Sequence, residues 1–153
     1  MEDKKYKELA RKFVEEHNFE SAIIYYTKLI ELNKNKRGYY CERAECYKEL
    51  KKYEDAISDW DNWLNGNKII VIDGDEDETK EFYAEYYYNR AECCIKLGRN
   101  EEAMDLYQEA LKFVPHDSWY YNACLDGYND LINTRKTLPV LHNKATKGRK
   151  LDL

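Results

Sequence analysis

No run of about eighteen apolar residues occurs in the 153-residue chain, so no stretch is long enough to cross a bilayer as a helix. Signatures of catalysis are also missing. The three serines, Ser21, Ser58 and Ser118, lie in no GxSxG frame, and no HExxH, P-loop or dinucleotide glycine pattern is present. The three histidines, His17, His116 and His142, are far apart and fall at expected turns or in the tail. The expectation is a protein that is not an enzyme, with no catalytic residues, no metal and no cofactor. Basic clustering is scarce as well. Lys and Arg number 25 against 30 Asp and Glu, a net charge of −5, which argues against a grip on nucleic acid through its phosphates. Neither nucleic acid nor a membrane is an expected partner. The five cysteines form no CxxC pair, and the adjacent Cys93 and Cys94 would project about 100° apart on a helix. They read as buried structural thiols. The N-terminal MEDKKYKELARK is charged and already helical in pattern, which gives the expectation of no signal peptide, reduced thiols and a cytoplasmic location.

Aromatics, by contrast, are plentiful at 14%, and fifteen of them are tyrosines. Large rings with a polar tip suit helix interfaces that reach the surface. The segment 87–115 reads as two helices with a turn between. Tyr87, Ala91, Cys94 and Ile95 share one face of a 3.6-residue period. Gly98 is placed to end the first helix in the left-handed region, and Asn100 to cap the second. Ala103, Leu106, Tyr107, Ala110 and Leu111 form the apolar face of that second helix, and Pro115 stops it. A lone hairpin cannot bury both its faces, so copies are expected elsewhere. They are found at 6–32 and 39–63. The small residues opening each second helix, Ala22, Ala56 and Ala103, are 34 and then 47 residues apart, and Phe19 and Tyr53 are also 34 apart.

This pattern resembles the tetratricopeptide repeat, whose period is about 34 residues. The matching positions are Tyr6, Leu9, Ala10, Phe13, Phe19, Ala22, Tyr26 and Leu32 in the first unit. Tyr40, Ala44, Tyr47, Tyr53, Ala56 and Trp60 follow in the second, and Tyr87, Ala91, Gly98, Ala103, Tyr107, Ala110 and Pro115 in the third. The chain departs from the pattern at Trp63, where a small residue is expected, and at Arg43 and Arg90, where leucine is common. The resemblance implies an all-α, right-handed solenoid of about seven helices. Its domain would span residues 1–136, with repeats at 3–36, 37–65 and 81–115 and a capping helix at 118–136. That helix shows Tyr121, Leu125, Tyr128, Leu131 and Ile132 along one side, and an array of this kind needs such an end piece.

The resemblance further implies a concave groove lined by the first helix of each unit, holding a peptide or helix of a partner protein. Carried over position by position, the groove takes Lys4, Lys7, Glu8, Arg11 and Val14 from the first unit. Gly38, Cys41, Glu42, Glu45 and Lys48 come from the second, and Glu85, Tyr88, Asn89, Glu92 and Ile95 from the third. Trp119, Asn122, Asp126 and Asn129 come from the last helix. The groove residues singled out are Lys7, Arg11, Glu42, Glu45, Tyr88, Asn89, Glu92, Asn122 and Asp126. Such a groove is basic at one end and acidic beyond it, which favours a partner whose basic segment lies over Glu42, Glu45 and Glu92. Some family members clamp the C-terminal carboxylate of heat-shock chaperones with Lys, Asn, Asn, Lys and Arg. Here Lys7 fits, but Arg11, Glu42, Glu85 and Asn89 stand at the other four positions, which disfavours that mode.

Two segments lie outside the repeats. The insertion 66–79 joins the apolar run IIVI at 69–72 to the acidic run DGDEDE at 73–78. Asp73, Asp75 and Asp77 alternate as in a calcium loop, but Glu78 and Ala84 stand where that loop requires glycine and glutamate, so a solvated acidic loop is expected. The aliphatics are expected to fold back on the solenoid or to meet a second chain. Self-association through 69–72 or the terminal helix is thus the second functional reading, and a homo-oligomer its consequence. An enzyme or metal protein built around the insertion is the third. Residues 137–153 read as a basic tail.

Overall fold

The computed structural model describes residues 1–36, 38–65 and 76–137. Seven helices and no strands occur among them: α1 (Glu2–Glu15), α2 (Phe19–Leu32), α3 (Gly38–Glu49), α4 (Tyr53–Asn65), α5 (Glu76–Lys96), α6 (Asn100–Phe113) and α7 (Trp119–Thr137). The main packing runs between consecutive helices, with a further contact of α5 on α7. The result is an all-α array of stacked hairpins, as the period implies. The expected features of 69–72, Asp73, Asp75 and the tail beyond Thr137 lie outside the described residues. Helix α5 starts at Glu76, inside the stretch assigned to the insertion and five residues before the expected start of the third hairpin.

One turn is used three times. His17 (φ 56°), Lys51 (φ 57°) and Gly98 (φ 75°) are all left-handed, and they recur at the same intervals as the aligned alanines. At each, two amides close back on the ending helix. Asn18 N donates to Phe13 O at 2.8 Å and His17 N to Val14 O at 3.0 Å. Lys52 N donates to Tyr47 O at 2.8 Å, and Arg99 N to Cys94 O at 2.8 Å. This paired closure satisfies carbonyls that the helix end leaves open. Glycine suits it best, yet the first two hairpins adopt it with side chains present, held by the packing of their helices. Asn18 caps α2 by accepting from Ser21 N at 3.1 Å. Asn100 does not play that part in the third hairpin: it is already helical, and Arg99 stands at the cap without a side-chain bond.

The aligned alanines Ala22, Ala56 and Ala103 are fully buried, with Ala10, Ala44 and Ala91 opposite them, so the helices of each pair approach closely. Two cores form. Ala10, Ala22, Tyr26, Leu29, Ile30, Tyr39 and Cys46 fill the first. The second, larger one runs from Ala44 through Trp60, Trp63, Tyr86 and Tyr107 to Cys124. Trp63 occupies the α4–α5 interface, with its ring 5.7 Å from those of Trp60 and Phe82.

The arginines that replace leucine are ion-paired. Arg43 Nε and Nη2 each donate to Asp59 at 2.7 Å, and Nη1 donates to Thr27 Oγ1 at 2.8 Å. One guanidinium therefore ties α2, α3 and α4 together. Arg90, at the same repeat position, sits 3.3 Å from Asp61 and 3.2 Å from Glu102. The thiols of Cys46 and Cys124 are pushed up to about 12, and those of Cys93 and Cys94 to about 11, by burial first and neighbouring carboxylates second.

The last helix packs partly through the expected stripe: Tyr128 and Leu131 lie against the larger core, and beside them the buried residue is Cys124. At Gly127 a Cβ would come within 2.7 Å of the Tyr107 ring. Tyr121 packs against His116, with ring centres 4.6 Å apart and planes tilted by 31°. The apolar spacing pointed to bulky residues, and the contact combines two of them with Cys124 and Gly127, small residues that let α7 lie close to α6.

Candidate ligand cavity

A cavity of about 410 Å³ opens among α3, α4, α5 and α7. Helix α3 contributes Cys41, Glu42 and Glu45, helix α5 contributes Glu85, Tyr88 and Asn89, and the first turn of α7 contributes Trp119 and Tyr120. Trp60 of α4 completes the lining. The spacings i, i+3 and i+4 place each helix's contributors on one face. Ser118 fixes the entry of α7: its Oγ accepts from Tyr120 N at 3.3 Å, and its own N donates to Pro115 O at 3.0 Å.

The repeat frame explains where the cavity lies. Tyr26, Trp60 and Tyr107 occupy one repeat position. Tyr26 donates its hydroxyl to Glu42 Oε2 at 3.4 Å, and Tyr107 donates its own to the Glu92 carboxylate. Trp60 has no hydroxyl to span the corresponding gap. It is 1% exposed, and its indole N–H has no acceptor among the described residues. Tyr26 reaches forward to the first helix of the next unit and Tyr107 back to that of its own, whereas Trp60, which lines the cavity, makes neither bond.

The electrostatics are dominated by carboxylates. Burial raises the Glu85 carboxyl above its ordinary range, and Glu45 adds to the rise. Burial, followed by the carboxylates of Glu85, Glu42 and Glu45, also raises the Cys41 thiol. The Tyr120 hydroxyl is pushed up to about 12 by burial and by Glu85. Lys48 answers one of these charges. Lys48 Nζ lies 3.1 Å from both oxygens of Glu45 and donates to Asn89 Oδ1 at 3.0 Å. Asn89 Nδ2 donates to Glu85 O at 2.9 Å, so its amide is engaged at both ends.

Of the expected groove residues, the cavity brings together Glu42, Glu45, Tyr88 and Asn89. The wider carried-over set adds Cys41, Glu85 and Trp119. Lys7 and Arg11 are exposed on α1, away from the lining. Glu92 is outside the cavity lining and accepts the Tyr107 hydroxyl from α6. Asn122 and Asp126 are exposed on α7, of which only the first turn lines the cavity. Trp60 and Tyr120 were not anticipated, although Trp60 stands out in the sequence as the non-tyrosine at its repeat position. Among the described residues no group of His, Cys, Asp and Glu is arranged to hold a metal ion, and no helix is long and apolar enough to cross a membrane.

Residues 84–117 match the tetratricopeptide repeat family. Human serine/threonine-protein phosphatase 5 is 29% identical over 108 residues, covering 71% of this chain and 19% of the phosphatase. The wheat Hsp70-Hsp90 organizing protein is 28% identical over 111 residues, covering 70% of this chain and 18% of that protein. The chain therefore spans about a fifth of the length of these curated relatives. Among solved structures, the first TPR of Spaghetti (RPAP3), bound to the HSP90 peptide SRMEEVD, superposes with a TM-score of 0.67. It is 20% identical, covering 88% of this chain and 94% of that one.

Proposed function

Because the chain folds as a tetratricopeptide-repeat array with a matched repeat at 84–117, we propose that it is a non-catalytic interaction module. It holds a peptide or helix of a partner protein against the face lined by α3, α5 and α7. A basic segment of that partner lies over Glu42, Glu45 and Glu85. The observation that carries this reading is the open cavity with carboxylates on two walls and aromatic rings on the third. The structural neighbour that holds SRMEEVD takes a peptide ending in acidic residues. In this chain Glu42 and Glu85 stand at positions where the carboxylate-clamping members carry asparagine and lysine, and Asn89 replaces their arginine. Carboxylates facing an anionic ligand repel it, and the Asn89 amide is already bonded. The phosphatase activity of the human relative is not carried over, since the match is confined to 108 residues.

A crosslinking experiment tests the reading. A photo-reactive phenylalanine analogue at Trp119 is exposed to randomised peptide pools, one rich in Lys and Arg and one rich in Asp and Glu. The basic pool crosslinks and the acidic pool does not. Labelled SRMEEVD, titrated by fluorescence polarisation, binds weakly or not at all. Tight binding of SRMEEVD that is lost in Lys7→Ala refutes the proposal, as does the absence of crosslinking with either pool.

A further inference from the structure

We infer that the cavity is a receptor for an arginine side chain of the partner, stacked against the aromatic wall and bonded to the carboxylates of α3 and α5. The inference rests on the peptide-binding reading above and names the group that the cavity selects. Three features of the lining support it.

The first is charge. Glu42, Glu45 and Glu85 converge on the cavity, and Lys48 is bonded to both oxygens of Glu45 alone. Among the described residues Glu85 has no cation partner, and Glu42 accepts only the long bond from the Tyr26 hydroxyl, at 3.4 Å. The crowding of Glu85 by Glu45, and the burial that keeps Glu85 from full hydration, are relieved when a cation arrives.

The second is the shape of the aromatic wall. The rings of Tyr88, Trp119 and Tyr120 lie 5.4, 5.8 and 5.0 Å apart between centres, crossing at 71°, 63° and 76°. They pack edge to face with one another and leave no gap between them that would enclose a round methylated ammonium. Instead Trp119, 65% exposed, stands at the mouth. A flat cation stacks on such a ring while its in-plane donors remain free. An ammonium offers the same charge without the plane.

The third is a precedent inside the molecule. Arg43 lies over the Tyr40 and Tyr47 rings, 5.8 and 5.9 Å from their centres, while its edge forks onto Asp59 at 2.7 Å. The same donor fork between ring and carboxylate fits the cavity lining. Trp60 in the lining is 1% exposed, and its N–H has no acceptor among the described residues. About 410 Å³ accommodates a long side chain with part of its backbone.

The probes are N-acetyl-arginine N-methylamide, its citrulline analogue, which is neutral and nearly isosteric, and the lysine analogue. Each is titrated into the full chain by calorimetry and by nuclear magnetic resonance of the tryptophan indoles. The arginine probe shifts the Trp119 indole and saturates. The lysine probe binds about tenfold more weakly, and the citrulline probe leaves the signal unmoved. Glu85→Gln weakens arginine binding by about tenfold or more, the scale of a lost charge-assisted hydrogen bond, with unchanged far-ultraviolet circular dichroism. Trp119→Ala weakens it without altering the helical signal. Equal binding of the citrulline probe, shifts confined to residues outside the cavity, or indifference to Glu85→Gln overturns the inference. A silent arginine probe alongside a basic pool that still crosslinks at Trp119 overturns this inference alone. Absence of crosslinking with any pool overturns the reading beneath it.

Discussion

Replacing Arg43 by methionine removes a charge but keeps much of the side-chain length, and the loss in stability follows from what is left behind. Asp59 is 2% exposed and receives both of its charged hydrogen bonds from Arg43. Without them the carboxylate has two outcomes. It stays charged and unpaired, at roughly 3–5 kcal/mol for one partner of a buried pair removed. Otherwise it takes a proton, which for an ordinary aspartate at pH 7 costs roughly 4 kcal/mol at 1.36 kcal/mol per pH unit. The cheaper outcome prevails, and burial already raises this carboxyl, so about 3–4 kcal/mol is expected for Arg43→Met. In a chain of this size that lowers Tm by roughly 10 °C.

The repeat frame supplies the control. Leu106 stands where Asp59 stands, one unit later, and is buried. The double variant Arg43→Met with Asp59→Leu should therefore lie within about 1 kcal/mol of the parent, because a well-packed apolar pair replaces a buried ionic one at little net cost. Urea unfolding followed by circular dichroism measures all the variants as one cycle. The Arg43→Met deficit should also shrink as pH falls, because the folded variant takes up the proton that Asp59 then retains. A single-variant loss below about 1 kcal/mol, or a double variant as unstable as the single one, refutes the account.

Both helix-side and turn glycines resist replacement, for different reasons. Gly127→Ala, normally favourable inside a helix by about 0.5–1 kcal/mol, should destabilise by about 1–3 kcal/mol, because the new Cβ meets the buried Tyr107 ring; thermal melts decide. Gly98→Ala should cost about 1 kcal/mol by forcing a side chain into the left-handed region, while Lys51→Gly at the equivalent turn should be neutral or stabilising in the same assay. Glu85→Gln should raise stability at pH 7: the folded-state pKa lies above the unfolded one, so the native form is penalised as pH rises through it, and the advantage should vanish below about pH 4. Thiol titration at pH 8 should label none of Cys46, Cys93, Cys94 and Cys124 in the native chain, since each is buried with a raised pKa, and label them all in urea.

The sequence disclosed the helices almost to their ends because their signals are local. Alanines at a fixed interval, left-handed turn positions and a closing proline each act within a few residues of themselves. Signals that failed depend on a neighbour. Asn100 has the chemistry of a cap, but the preceding turn closes one residue earlier and draws it into the helix. In α7 the large side chains suggested the packed stripe, which holds for Tyr128 and Leu131, but the close approach of α6 added Cys124 and Gly127. The start of α5 at Glu76 was hidden by its acidic composition, although carboxylates in a first turn favour the positive end of a helix.

The site was partly legible for the same reason. Glu42, Glu45, Tyr88 and Asn89 lie on faces that spacing alone defines, so their convergence follows once the hairpins stack. Glu92 obeys the same spacing and yet is taken by Tyr107, a partner from another helix that no single-helix pattern reveals. The comparison within the repeat frame does reveal it. At the position shared by Tyr26, Trp60 and Tyr107, the two tyrosines spend their hydroxyls on Glu42 and Glu92, and the tryptophan spends nothing. A repeat array earns its stability by solving one packing problem several times. The unit that solves it differently leaves both a vacancy and unanswered charge. In this chain that unit is the middle one, where Trp60, a ring without a hydroxyl, lines the cavity together with Glu42 and Glu85.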